Sequence, residues 1–294
     1  MDNIRDLRLL VALARQKHFS RAAEECGISQ PAFSARIRHI EDSLGLPIVR
    51  RGNKFLGFTR DGEVLLKWAH KILNDVEGMR QELDGAKGAL RSKLVIGAVP
   101  TALSFAAKVS GQLRKSHPDL TIGIQSLTSA GITQRLADYT LDAGITYIDG
   151  DADPSPFVTP LYQESYVLIA PKAMAPRESG EATWKEAATL PLCLLTRDMR
   201  NRQLIDAAFD AVGTRPEPVM ETNGFTAALA QVADGTAATI APQGLAESVL
   251  AGTESVRLQL VDPVLSYSIG LVIQEQEPVL PAIVALQKAI RSAL

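Results

Sequence analysis

Phe19-Ser-Arg-Ala-Ala-Glu-Glu-Cys-Gly27-Ile-Ser-Gln-Pro-Ala-Phe33-Ser-Ala-Arg-Ile-Arg-His-Ile40-Glu-Asp-Ser-Leu-Gly45 is the stretch that decides how this chain folds. It reads as two short helices joined by a tight turn. The first buries Ala22, Ala23 and Cys26, side chains small enough to let a neighbour approach closely. Gly27 falls where that helix must end, because glycine adopts the left-handed conformation without a Cβ penalty. Ile28 is expected to fill the gap under the turn. Ser29 can cap the second helix, and Pro31 falls in its first turn, where a missing N–H is harmless. Phe33, Ile37, Ile40 and Leu44 recur at spacings of four, three and four, which turns one face inward. Gln30, Ser34, Arg36 and Arg38 are left facing outward. A small, polar and basic face of this kind suits a helix that enters a DNA major groove.

Downstream, Ile48–Val49 and Phe55–Phe58 flank Gly52-Asn53, a strong turn dipeptide, which predicts a β-hairpin wing. Arg50, Arg51 and Lys54 lie close to its tip, within reach of backbone phosphates. From about Arg60 to Leu90 a long helical pattern follows. Leu65, Ala69, Ile72, Val76, Met79 and Leu83 alternate spacings of four and three, the seam of a coiled coil, so this helix is expected to pair with a second copy. Gly85 and Gly88 mark a junction near residue 90.

Charge follows the same division. Residues 1–60 carry eleven Lys or Arg against six Asp or Glu, although the whole chain has a net charge of −2. A basic head on an acidic body confines phosphate attraction to one end of the molecule. The 294 residues suffice for two or three domains. Cys26 and Cys193 lack any Cys-x-x-Cys spacing and read as buried, reduced thiols. The sequence offers neither a charged-then-apolar leader nor an apolar run of membrane-spanning length, so a cytoplasmic location without membrane contact is expected.

Residues 93–294 alternate strands and helices, which implies mainly parallel sheets. A Pro- and Asp-rich crossing at 149–160 separates two lobes, and residues 136–145 echo 232–240 as a helix end leading into a strand. The expected domains are a head at 1–60, a linking helix at 61–90 and a body at 91–294. Within the body, lobe 1 covers about 91–161 and 266–294, and lobe 2 about 162–265.

These residues resemble the LysR-type transcriptional regulators over essentially the whole chain. The resemblance is most specific at Phe19-Ser20, Ala22-Ala23, Ser29-Gln30-Pro31, Ser34, Ile37, Glu41, Leu44-Gly45, Arg51, Thr59 and Gly62. It implies a winged helix-turn-helix, a dimerising linker helix and a two-lobed α/β effector domain like a periplasmic binding protein. It also implies a homodimer assembled into a homotetramer, an interrupted palindrome in promoter DNA as target, RNA polymerase as partner and a small-molecule effector in place of a cofactor. Ser29 and Pro31 then join Gln30, Ser34, Arg36, Arg38, Arg51 and Lys54 as DNA-binding residues. Ala35 departs from the basic or polar residue frequent in relatives, and a lone cysteine in the effector lobes argues against disulfide sensing.

For the effector, Thr101 follows one strand and opens a helix, and Thr128-Ser129 do so after the next. Helix starts reinforced by hydroxyls favour an anion, and strand C-termini are where ligands sit in open α/β sheets. Thr196 and Asn223 follow strands in the second lobe and are expected on the opposing wall. Each hydroxyl also has a simpler role as a helix cap. The four histidines show no metal-ligand spacing, and no nucleophile elbow, phosphate-binding loop or dinucleotide fingerprint occurs. An enzyme or plain small-molecule binder with an appended head is the rival reading. It leaves the outward Gln-Pro-x-x-Ser face without a use.

Overall fold

Three helices build the head around one apolar core. α1 (Ile4–Gln16) starts at Asn3, whose side chain accepts from Arg5 N at 2.9 Å. α2 (Phe19–Glu25) ends at Gly27, held at φ +68°, with Ile28 N donating to Ala23 O at 3.1 Å. α3 (Gln30–Leu44) starts at Ser29, whose hydroxyl accepts from Ala32 N. Leu10, Leu13, Ala22, Ala23, Phe33, Ile37 and Ile40 fill the core. Ile28 and Leu44, expected inside, are both exposed. Ile28 has already left α2 through the glycine turn, and Leu44 immediately precedes Gly45, where a left-handed residue ends α3.

This computed structural model describes residues 3–51, 55–85, 90–148, 155, 157–178, 180–245 and 254–294. Backbone contacts divide the chain into two units: Met1–Arg91 with Ala137–Thr140 and Pro278–Ala282, and Ser92–Leu136 with Leu141–Glu277 and Ile283–Leu294.

In the first unit, β1 (Val49–Arg51) and β2 (Phe55–Phe58) pair antiparallel as the wing. Glu41 Oε1 anchors it by accepting from Ile48 N at 3.0 Å and Val49 N at 3.1 Å. Lys54, the Gly52-Asn53 turn and the Arg51 side chain lie outside the described residues. The Thr59 hydroxyl accepts from Gly62 N and donates to Pro47 O, fixing the entry to α4 (Arg60–Gly85). Gly62 is required there, since a Cβ would sit 2.0 Å from Ile48 O.

The seam expected along α4 shifts phase in its first half. Ala69 is buried, and Leu65 and Leu66 pack on the head core. The outward stripe is instead Val64, Trp68, Ile72, Met79 and Leu83, with Trp68 57% exposed; Val76 is half-buried beside it. The head claims one side of the helix, so the free side starts one residue earlier.

In the second unit, β3 (Lys93–Ala98) leads through a 3-10 turn (Pro100–Ala102) into α5 (Leu103–Ser116). β4 (Thr121–Ser126), α6 (Ser129–Ala137) and β5 (Ala143–Tyr147) follow, and β3 pairs parallel with both strands. β6 (Val158–Pro171) then crosses into lobe 2. β7 (Glu181–Thr183), α7 (Trp184–Ala187), β8 (Cys193–Leu195) and α8 (Arg200–Ala211) come next. They lead to β9 (Met220–Thr222), α9 (Phe225–Ala233), β10 (Thr239–Pro242) and β11 (Ser255–Val261). β12 (Ser266–Ile273) returns to lobe 1 before α10 (Pro281–Arg291).

The sheets are mixed where mainly parallel ones were expected. β12 runs antiparallel to β5 and β6, and β10 and β11 run antiparallel to β6. β6 causes this, because one long strand serves both lobes. Its first half pairs with β12 and its second half with β10 and β11. Only Tyr166–Ala170 of it is visible as an apolar run, since Gln163, Glu164 and Pro160 interrupt the pattern upstream.

Candidate nucleic-acid interface and ligand site

On α3 the buried stripe Phe33, Ile37 and Ile40 fixes the opposite face outward. Ser29, Gln30, Pro31 and Arg38 are exposed, and Ser34 is half-buried one turn beyond Gln30. Gln30 Nε2 donates to Ser34 Oγ at 3.1 Å, which aligns the two side chains along one face. Such an amide can bond bidentately with adenine, and the nearby hydroxyl suits a base or phosphate. Arg36 behaves differently from the expectation of a freely outward base reader. Its Nε and Nη2 donate to the two carboxylate oxygens of Asp6 at 2.5 and 3.1 Å. Asp6 is buried in α1, so Arg36 braces α3 against α1 and holds the reading face in place.

In the body, Thr101 lies in the 3-10 turn and is buried. Its hydroxyl caps no helix. It lies 3.3 Å from the Tyr147 hydroxyl at the end of β5. Tyr147 OH and Tyr166 OH each contact Glu164 Oε1 at 2.8 Å and lie 3.0 Å from one another. Burial pushes the Glu164 carboxyl above its ordinary value, while the hydrogen bonds from Tyr166, Tyr147 and Thr101 act the other way. Burial likewise raises Tyr147 and Tyr166, so both stay neutral.

Thr128 does cap, accepting from Gly131 N at 3.0 Å at the start of α6. Beside it, Ser129 Oγ accepts from the Thr146 hydroxyl at 3.0 Å. The ends of β3, β4 and β5 therefore gather Thr101, Thr128 and Ser129 through Thr146 and Tyr147. In lobe 2, Thr196 N donates to Thr222 O at 2.9 Å, which brings the end of β8 beside the end of β9 and its exposed neighbour Asn223. Arg202 is buried and bonded to Leu195 O, Asp206 and Glu221, a brace within lobe 2. Tyr147, Glu164, Tyr166 and Asn201 were not singled out by the sequence.

Two family models match the chain. The bacterial regulatory helix-turn-helix, lysR family, covers residues 4–63, and the LysR substrate binding domain covers 87–294. The chain belongs to the LysR family.

This LysR-family protein is 29% identical over 192 residues to the hydrogen peroxide-inducible genes activator of Haemophilus influenzae. That match takes in 65% of this chain and 60% of the relative, so the chain spans less than two thirds of that curated protein. A full-length OxyR structure from Pseudomonas aeruginosa superposes with a TM-score of 0.76 at 23% identity, covering 99% of this chain and 95% of that one. CbnR in complex with its target DNA superposes with a TM-score of 0.68 at 19% identity, covering 99% and 100%. The named relatives are transcriptional regulators, not enzymes. Among the described residues of this LysR-family chain, Cys193 is buried in β8 and Cys26 half-buried at the end of α2. Burial raises both thiols, the reverse of the shift that makes a thiolate reactive. No helix among the described residues is long and apolar enough to cross a membrane.

Proposed function

We propose that this protein reads a two-fold-related site in promoter DNA with paired copies of α3 and regulates transcription in response to a small molecule held in its body. The Gln30–Ser34 pair carries the reading: two aligned polar side chains on the outward face of a helix capped by Ser29, started by Pro31 and braced by Arg36. Arg38, Arg51 and Lys54 neutralise phosphates on either side. The outward stripe of α4 joins two chains, and two such dimers form a tetramer that meets RNA polymerase at cytoplasmic DNA. The effector sits between the lobes, with Thr101, Thr128 and Ser129 on one side and Thr196 and Asn223 on the other. The helix starts favour an anionic group on it.

A footprint over the chain's own promoter region tests the DNA reading. Gln30→Ala with Ser34→Ala is expected to weaken the protected site by about 1–3 kcal/mol for each bidentate base pairing removed. Both side chains lie on the outer face, so the head stays folded. An unchanged footprint would refute the assignment.

A further inference from the structure

α4 has a second face, opposite its outward apolar stripe. His70, Asn74, Gly78 and Gln81 recur along it at spacings of four, four and three. Gly78 and Gln81 are buried, although Met79 and Leu83 beside them are exposed. Backbone contacts group residues 137–140 and 278–282, which the body contributes, with α4 and the head. Gln81 is 2% exposed, and its Oε1 accepts from Ala282 N at 3.2 Å. A Cβ at Gly78 would stand 2.8 Å from Leu280 Cδ2, so the missing side chain leaves Leu280 its place. At His70, burial lowers the imidazole below its ordinary value, Asp138 acts against that shift and Arg15 of α1 adds to it. Residues 137–140, α1 and α4 therefore meet at this point.

Each body segment joins a helix that runs on into the second unit. α6 starts at Ser129, beside the Thr128 cap, and closes at Ala137; α10 opens at Pro281 and runs to Arg291. The division between the units falls inside both helices, after Leu136 and after Ala282. At 1.5 Å per residue, α6 spans about 13 Å between the Thr128 turn and its last residue. An unbroken helix is stiff, so a displacement at one end carries to the other.

We infer that Gly78 and Gln81 are positioning residues: they seat residues 280–282 on α4, and through this seat the body fixes where α4, and with it α3, is presented to DNA. The inference rests on the reading that the head binds DNA and the body a small molecule, and it names the joint between those events. The first N–H groups of a helix have no partner within it, and the Gln81 amide supplies one for α10 without burying a charge. Gly78 supplies the clearance. The head core takes Leu65 and Leu66 from another part of α4, so the seat governs the head's position and not its folding. Coupling between sites is reciprocal, so DNA on the head alters the body while the seat is intact.

The test is amide hydrogen exchange of the full chain with and without a duplex of the promoter region. In the parent, DNA is expected to slow exchange in α3 and to change it at least threefold across residues 129–140 and 281–291. Gly78→Leu places a better helix former in α4 but drives its side chain against Leu280. Gln81→Leu keeps the bulk and removes the acceptor. Each should leave α3 protected by DNA and abolish the response in residues 281–291. Adding Leu280→Ala to Gly78→Leu relieves the clash and should restore that response. An unresponsive body in the parent while α3 is protected, or an undiminished response in both single variants, would overturn the inference. Lack of protection in α3 is the separate failure of the DNA reading, and the seat is then judged without DNA. Gly78→Leu should speed exchange at least threefold through residues 283–291, and a change confined to residues 278–282 would overturn it.

Discussion

At the residue scale, Glu164 makes the strongest demand on its surroundings. Its folded pKa is raised above the ordinary 4.5 chiefly by burial, with the neutral phenols of Tyr147, Tyr162 and Tyr166 around it. A carboxyl raised in the folded state contributes stability that is complete below pH 4.5 and lost as pH rises through the folded value. Gln keeps the acceptor for Tyr147 and Tyr166 but cannot ionise. Without ligand, the melting temperature of Glu164→Gln relative to the parent is therefore expected to climb as pH rises above 4.5. A difference that stays flat across that range would mean Glu164 is charged in the folded protein throughout.

At the element scale, α4 shows how context divides one helix between two jobs. Its residues carry an apolar period, but the phase belongs to whichever surface packs first. The head takes Leu65 and Leu66, leaving Val64, Trp68, Ile72, Met79 and Leu83 uncovered. Ile72→Asp with Met79→Asp should place unpaired charges in any helix pair formed by that stripe, which is strongly unfavourable. Light scattering is expected to show a smaller assembly, and an unchanged mass would mean α4 does not join the chains. Local signals explain what was legible. The Gly27 turn, the Ser29 cap and the Pro31 start act over a few residues, so α2, α3 and the outward Gln30 could be read directly. Glu164 could not, because its burial depends on β12, a strand from the far end of the body.

At the scale of the whole molecule, the two units should report separately on their partners. A ligand that binds only the folded body at 100 times its Kd stabilises it by about 2.7 kcal/mol. Calorimetry of the full chain is expected to show two transitions, a bound effector raising the body's and leaving the head's in place. One transition moving as a block would mean the units unfold together. The close approach at Gly62 bears on how such molecules can be recombined. Its Cα faces the Ile48 carbonyl too closely for any side chain, so the first turn of α4 is cast against the wing. Heads grafted between relatives should therefore be joined inside α4, beyond this turn. A splice at the end of the wing would separate surfaces that fit only each other.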